Sequence, residues 1–303
     1  MSLIDSIKEL KEENDAVIVA HNYQIGEIQD IADFVGDSFG LAKKVAELDV
    51  TNVIFCGVEF MVESAVILNP HKNIIHPELK AGCPMAEMVD TDDLLQYKQK
   101  HPNTAVVSYV NTKAETKAES DICCTSSNAV KVVESVSNSR VLFVPDKNLG
   151  NYITRFVKDK EVDIWDGFCG THDKITPDDV QELVDRYPDA EIVVHPECKP
   201  EVVDMADHTE STAGILRRAH ESDKDHMIIG TEKEMGHRLK KEVSDKEYHF
   251  PGNPTCQNMK KITLEKVLKS LENLEPVLTV DEEIARRARK PLERMVQIGR
   301  GSE

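Results

Sequence analysis

Cys83, Cys169 and Cys256 lie 86 and 87 residues apart, each in a turn-rich loop: Ala81-Gly82-Cys83-Pro84, Gly167-Phe168-Cys169-Gly170 and Pro254-Thr255-Cys256. Glycine and proline keep such segments in loops, where binding groups concentrate. Cysteines this far apart exclude the compact ferredoxin motif, which packs its ligands within a few residues. Three thiolates can still hold a cubane of four irons, leaving one iron without a protein ligand and able to act as a Lewis acid. They can equally hold zinc with an open fourth position. The third option is three buried structural cysteines, which suits Cys56, Cys123 and Cys124 better because they sit in apolar runs.

Acid–base groups cluster in three short motifs: His21-Asn22-Tyr23, Tyr109-Val110-Asn111 and His195-Pro196-Glu197. His195 and Glu197 place two titratable groups just past an apolar run, where partial burial tunes them for proton transfer. His172, three residues after Cys169, is a further candidate. Small hydroxyl residues open helical stretches at Ser38, Ser126, Ser127, Ser211 and Thr212. Helix starts favour anions, although plain capping explains most such residues.

These groups must be carried by something. Short Val- and Ile-rich runs at Ala16–Ala20, Asn52–Cys56, Asn73–His76, Thr104–Val110, Arg140–Val144, Val162–Trp165, Ala190–His195, His226–Ile229 and Tyr248–Phe250 read as buried parallel strands. Amphipathic stretches between them, such as Asp92–Lys100, Asn128–Val136, Pro177–Arg186 and Thr212–Ala219, complete βαβ units. Nine strands fall into three groups of three, and each group ends in one of the three cysteines. Tyr23, Tyr109 and His195 keep a spacing of 86, and Ser38, Ser126 and Thr212 keep 88 and 86. A sustained period marks a repeated unit. The expectation is an α/β protein of three homologous three-layer αβα domains with short parallel sheets, over residues 1–87, 88–173 and 174–303. Ligands sit beyond the carboxyl ends of strands in such sheets. Pseudo-threefold packing would therefore bring the three edges together around one central active site.

With 37 basic and 55 acidic residues the net charge is −18, which argues against nucleic acid and anionic membranes as partners. No apolar run approaches the roughly 20 residues a membrane span needs. The first residues, Met1-Ser2-Leu3-Ile4-Asp5, lack the pattern of a signal peptide. A cytoplasmic protein is expected, and its seven cysteines then read as thiols or metal ligands rather than disulfides.

Taken together, Ala20-His21-Asn22-Tyr23, Gly36-Asp37-Ser38, Pro84-Met85-Ala86, Tyr109-Val110-Asn111, Thr125-Ser126-Ser127-Asn128-Ala129, Gly170-Thr171-His172, His195-Pro196-Glu197-Cys198 and Asn253-Pro254-Thr255-Cys256 resemble the quinolinate synthase family over essentially the whole chain. The resemblance implies three α/β domains around a [4Fe–4S] cluster held by Cys83, Cys169 and Cys256, with one iron open to substrate. It implies condensation of iminoaspartate with dihydroxyacetone phosphate, with loss of phosphate and two waters, to give quinolinate for NAD biosynthesis. An aspartate oxidase or dehydrogenase would supply the iminoaspartate, and the enzyme would be a monomer or homodimer.

Carried over by position, His21, Ser38, Ser126, His172, His195, Ser211 and Thr212 match binders of substrate or phosphate. Tyr23, Tyr109, Asn111 and Glu197 match residues around the reacting carbons, with Tyr109, Asn111 and Glu197 also binding substrate and Glu197 the leading acid–base. The chain is similar to the short form of the family. It departs from members with a C-x-x-C-x-x-C run, since Gln257-Asn258-Met259 follow Cys256, so no regulatory disulfide is expected there. The amphipathic stretches Leu264–Leu274 and Asp281–Arg294 are expected to pack on the core and to shield the central site. The alternatives are a zinc- or iron-dependent hydrolase or lyase on a small phosphorylated substrate, and a non-catalytic iron–sulfur sensor.

Overall fold

A computed structural model describes residues 2–300. The chain runs through one pattern three times. The first pass is α1 (Leu3–Glu13), β1 (Ala16–His21), α2 (Gly26–Ile31), β2 (Phe34–Gly36), α3 (Ser38–Glu47), β3 (Asn52–Cys56), α4 (Glu59–Leu68) and β4 (Asn73–Ile75). The second is α5 (Thr91–Lys100), β5 (Thr104–Tyr109), α6 (Ala114–Ala118), β6 (Ile122–Cys124), α7 (Ala129–Ser135), β7 (Arg140–Val144), α8 (Lys147–Thr154) and β8 (Glu161–Ile164). The third is α9 (Pro177–Arg186), β9 (Glu191–Val194), α10 (Pro200–Val203), β10 (His208–Thr209), α11 (Thr212–Glu221), β11 (His226–Gly230), α12 (Met235–Glu242) and β12 (Glu247–His249). Helices α13 (Leu264–Asn273) and α14 (Glu282–Arg300) follow.

Each pass makes one four-stranded, all-parallel sheet with the same strand order, β2-β1-β3-β4, β6-β5-β7-β8 and β10-β9-β11-β12. The α/β class and the threefold repetition follow the sequence. The strand count does not, because each sheet gains an edge strand of two or three residues (β2, β6, β10) that is too short to show a pattern. Register also corrects the alignment of the repeats. The pairs Ala20↔Cys56, Ser108↔Val144 and Val194↔Gly230 are equivalent, so the units are offset by 88 and then 86 residues. His21, Tyr109 and His195 are therefore level, and Tyr23, Asn111 and Glu197 are level two residues on. The even spacing of Tyr23, Tyr109 and His195 pairs residues that are not equivalent. The even cysteine spacing has a similar origin: the stretch from the last strand to the cysteine shortens by two residues from the first unit to the second and regains one in the third, close to cancelling the change in offset.

Two side-chain braces recur in all three units on the amino side of the sheets. Asp33, Asp121 and Asp207 each accept the backbone N–H of the first strand, at Ile18, Val106 and Ile192, over 2.8–2.9 Å. Lys72, Lys160 and Lys246 each donate to two carbonyls of the turn before the third strand. Ladders covered by helices on both faces bury nearly every strand residue, as β1 and β5 illustrate.

The last two helices do pack on the core. Val267 and Leu271 of α13 join Ile7 of α1 and Ile54 of β3, and Ala288, Leu292 and Met295 of α14 join residues of α4 and β6. Among the described residues, neither helix contributes to the wall of the central cavity. Among the described residues no helix is long and apolar enough to cross a membrane.

Candidate active site

The carboxyl ends of all three sheets open onto one cavity of about 280 Å³. It is walled by His21, Tyr23 and Ser38 from the first unit, Tyr109, Asn111 and Ser126 from the second, and His195, Glu197 and Thr212 from the third. Cys83, Cys169, Cys256 and His172 complete the wall, with Val58, Phe60, Met61 and Met85 as its apolar part. Thirteen of the fourteen residues matched to the family's ligands and binders thus share one space. The exception is Ser211, whose Oγ accepts the Gly214 N–H as the cap of α11, while the next residue, Thr212, reaches the cavity. Cys56, Cys123, Cys124 and Cys198 are buried and do not line it.

One backbone bond fixes all three cysteine loops. The residue two past the third strand's end-loop start donates its N–H to the carbonyl two residues before the cysteine: Glu59 to Ala81 at 2.9 Å, Lys147 to Gly167 at 2.8 Å, and Lys233 to Pro254 at 2.9 Å. Burial pushes the Cys83 thiol up to about 12 and raises Cys169 and Cys256, and the sulfurs sense one another, Cys83 with Cys256 and Cys169 with Cys83. A soft metal centre relieves such a set, because binding displaces the thiol protons. The donor chemistry therefore fits a thiolate-held metal or cluster.

The polar wall is a connected series. The Tyr109 hydroxyl donates to Glu197 Oε1 at 2.6 Å. Glu197 Oε2 lies 2.8 Å from His172 Nδ1, whose Nε2 lies 2.8 Å from Thr231 Oγ1, and Thr231 Oγ1 lies 2.6 Å from the Tyr23 hydroxyl. Five groups form the series, with a phenol at each end and one carboxylate between. Burial alone would push the Glu197 carboxyl up; the His172 and His195 imidazoles and the bonds from His172 and Tyr109 reverse that and hold it below its ordinary range. Burial and the Glu197 charge raise both phenols well above theirs. Glu197 is thus the ionised member and the tyrosines are proton donors.

His21 and His195 are held alike. Each ring Nδ1 accepts the backbone N–H two residues on, from Tyr23 at 3.1 Å and Glu197 at 3.3 Å. That assigns the ring proton to Nε2, which for His195 points at Ser126 Oγ 3.2 Å away. Burial lowers both imidazoles to about 3, keeping them neutral N–H donors. His195 stacks on His172 with centroids 4.8 Å apart. Asn111 Oδ1 is buried without a partner among the described residues, an acceptor waiting for a donor.

Sequence reasoning missed Thr231 and Asn22. Thr231 is fully buried and bridges the two halves of the series. Asn22 donates to Thr212 Oγ1 at 2.9 Å and accepts from Arg238 at 2.7 Å, joining the first unit to the third. Asn22 lay in a motif already noticed. Thr231 carried no signal beyond its place just after a strand.

A chamber made by three like α/β units, with thiols, neutral imidazoles and a buried carboxylate converging on a small volume, is the site of an enzyme acting on small polar molecules. The particular family is given by comparison. The chain belongs to the quinolinate synthase family: the family model described as Quinolinate synthetase A protein matches residues 5–297. It is 50% identical over 297 residues to a quinolinate synthase of Methanoregula boonei, covering 98% of each chain. It is 49% identical over 293 residues to that of Dehalococcoides mccartyi (96% of this chain, 97% of the relative) and 48% identical over 299 residues to that of Caldicellulosiruptor bescii (98% of each).

Proposed function

We propose that the protein condenses iminoaspartate with dihydroxyacetone phosphate in this cavity, releasing phosphate and two waters to form quinolinate. The observation that carries the proposal is the Tyr109–Glu197–His172–Thr231–Tyr23 series beside three thiols. Condensation, isomerisation and dehydration each take a proton from carbon or nitrogen and return one elsewhere, in dehydration to the departing oxygen. Glu197 Oε1 takes the proton, and the Tyr109 and Tyr23 hydroxyls donate, each re-supplied along the hydrogen bonds that join them. His21 and His195 offer Nε2–H to carboxylate or phosphate oxygens, with the Ser38, Ser126 and Thr212 hydroxyls beside them. Asn111 orients the amine or imine nitrogen through its unpaired Oδ1. Cys83, Cys169 and Cys256 would hold a [4Fe–4S] cluster, which when bound supplies an open iron as Lewis acid for loss of water.

A second metal reading has its own support, since ligand atoms of Cys169, His172 and Glu197 lie within 4.8 Å of one another. That set suits a single zinc or iron ion and a hydrolase or lyase. Anaerobic purification with metal and sulfide analysis separates the two. About four irons and four sulfides per chain, with quinolinate formed from dihydroxyacetone phosphate and freshly generated iminoaspartate, is the expected result. One colourless zinc per chain, or a full cluster without turnover, would sink the proposal.

A further inference from the structure

The residue just before the one whose N–H anchors each cysteine loop is Val58, Asp146 and Glu232 in the three units. In the second and third units its side chain reaches the cysteine itself. Asp146 Oδ2 accepts the Cys169 N–H at 3.2 Å, while Oδ1 accepts the Leu149 N–H at 2.8 Å. Glu232 Oε1 accepts the Cys256 N–H at 3.1 Å, while Oε2 accepts the Glu234 N–H at 2.8 Å and the Lys260 ammonium pairs with Oε1 at 2.8 Å. Both carboxyls are fully buried. In the first unit the level residue is Val58, whose apolar side chain can accept nothing. Three loops share one backbone anchor, and two of them carry a second.

The geometry points to Asp146 and Glu232 as paired positioning residues that preorganise Cys169 and Cys256 for the metal centre, leaving Cys83 as the ligand held by backbone alone. A carboxyl that accepts with both oxygens ties the cysteine's backbone to the end of the neighbouring strand. The sulfur's direction is then set before metal arrives. Partners one bond removed from ligands fix ligand orientation, and losing them costs about 10- to 100-fold in metal affinity or activity. The neutral amide of Asn or Gln has the same shape but only one acceptor, so its amino group would face one of the two N–H donors.

This rests on reading the three cysteines as cluster ligands, and the test separates the two ideas. Wild type, Asp146→Asn, Glu232→Gln and the control Glu191→Gln, a buried acid that pairs with Arg218, are reconstituted anaerobically. Iron and sulfide content, the electron paramagnetic resonance spectrum of the reduced cluster and the rate of iron loss to a ferrous chelator are measured. The expected result is iron loss about tenfold faster in both test variants than in the control, with an altered spectrum. Loss at the control's rate overturns the inference. Should the variants fail to fold, hydrogen exchange in wild type decides: peptides carrying Cys169 and Cys256 exchange more slowly than that carrying Cys83, and equal or reversed rates overturn it. Wild type that takes up no cluster overturns the cluster reading instead, and the exchange comparison still decides the positioning role.

Discussion

The two edges of the three sheets obey different rules. On the amino side the same residue does the same thing three times: Asp33, Asp121 and Asp207 accept a strand N–H, and Lys72, Lys160 and Lys246 tie down a turn. On the carboxyl side equivalent positions diverge, with His21, Tyr109 and His195 in one set and Tyr23, Asn111 and Glu197 in the next. Three copies of one fold need the same braces. One asymmetric substrate in a shared cavity needs a different group from each wall. Internal symmetry therefore survives where residues only hold the sheets, while on the cavity wall it is kept in the hydroxyls Ser38, Ser126 and Thr212 and the three cysteines and lost at these two positions.

The contrast is tested most severely by one substitution at each edge. Glu197→Gln keeps shape but removes the proposed base at the centre of the polar series, so kcat should fall by roughly 10²- to 10⁴-fold. Lys246→Met acts at the other edge. Its buried ammonium donates to the Ser222 and Lys224 carbonyls at 2.7 and 2.8 Å, and losing it strands two acceptors at a cost of about 1–3 kcal/mol. Denaturant unfolding should show that loss while kcat of the folded enzyme stays at wild type. A drop in kcat for Lys246→Met, or a wild-type kcat for Glu197→Gln, would erase the distinction.

A smaller effect is expected where the two rules meet. Thr231 touches no cavity space, yet its hydroxyl joins His172 to Tyr23. Thr231→Val should lower kcat about tenfold, the loss of about 1.4 kcal/mol that one hydrogen bond to a reacting group represents, with KM little changed. Wild-type kcat would remove Thr231 from the proton path.

This residue also marks how far the sequence could be read. The sheets were legible because parallel strands buried on both faces are unbroken apolar runs, and the cysteine, His-Asn-Tyr and His-Pro-Glu motifs stand at their ends. β2, β6 and β10 were not, because two or three residues cannot display a period. The true equivalence of His21 with Tyr109 and His195 was hidden by a two-residue difference in loop length that only register exposes. A buried threonine between two strand ends has no pattern of its own. Its partner comes from another unit, 59 positions away in the case of His172.

The finest test uses the two ends of a single strand. Glu191 opens β9 and Glu197 lies just past its end. Burial alone would push the Glu191 carboxyl up; hydrogen bonds from Ser222 and Arg218, with the charges of Arg218 and His208, reverse that and hold it below its ordinary value of 4.5. A carboxyl lowered in the folded state contributes stability that is fully present above its unfolded value and drains away as pH falls through the folded one. The contribution is of order 1 kcal/mol or less. In denaturant titrations from about pH 6 to pH 3, the stability gap between wild type and Glu191→Gln should be widest at the upper end and close below about pH 4. Quinolinate formation at neutral pH should be the same in both proteins. A gap that stays constant with pH would mean that Glu191 acts through packing rather than charge, and a loss of activity would mean that the amino edge reaches the chemistry after all.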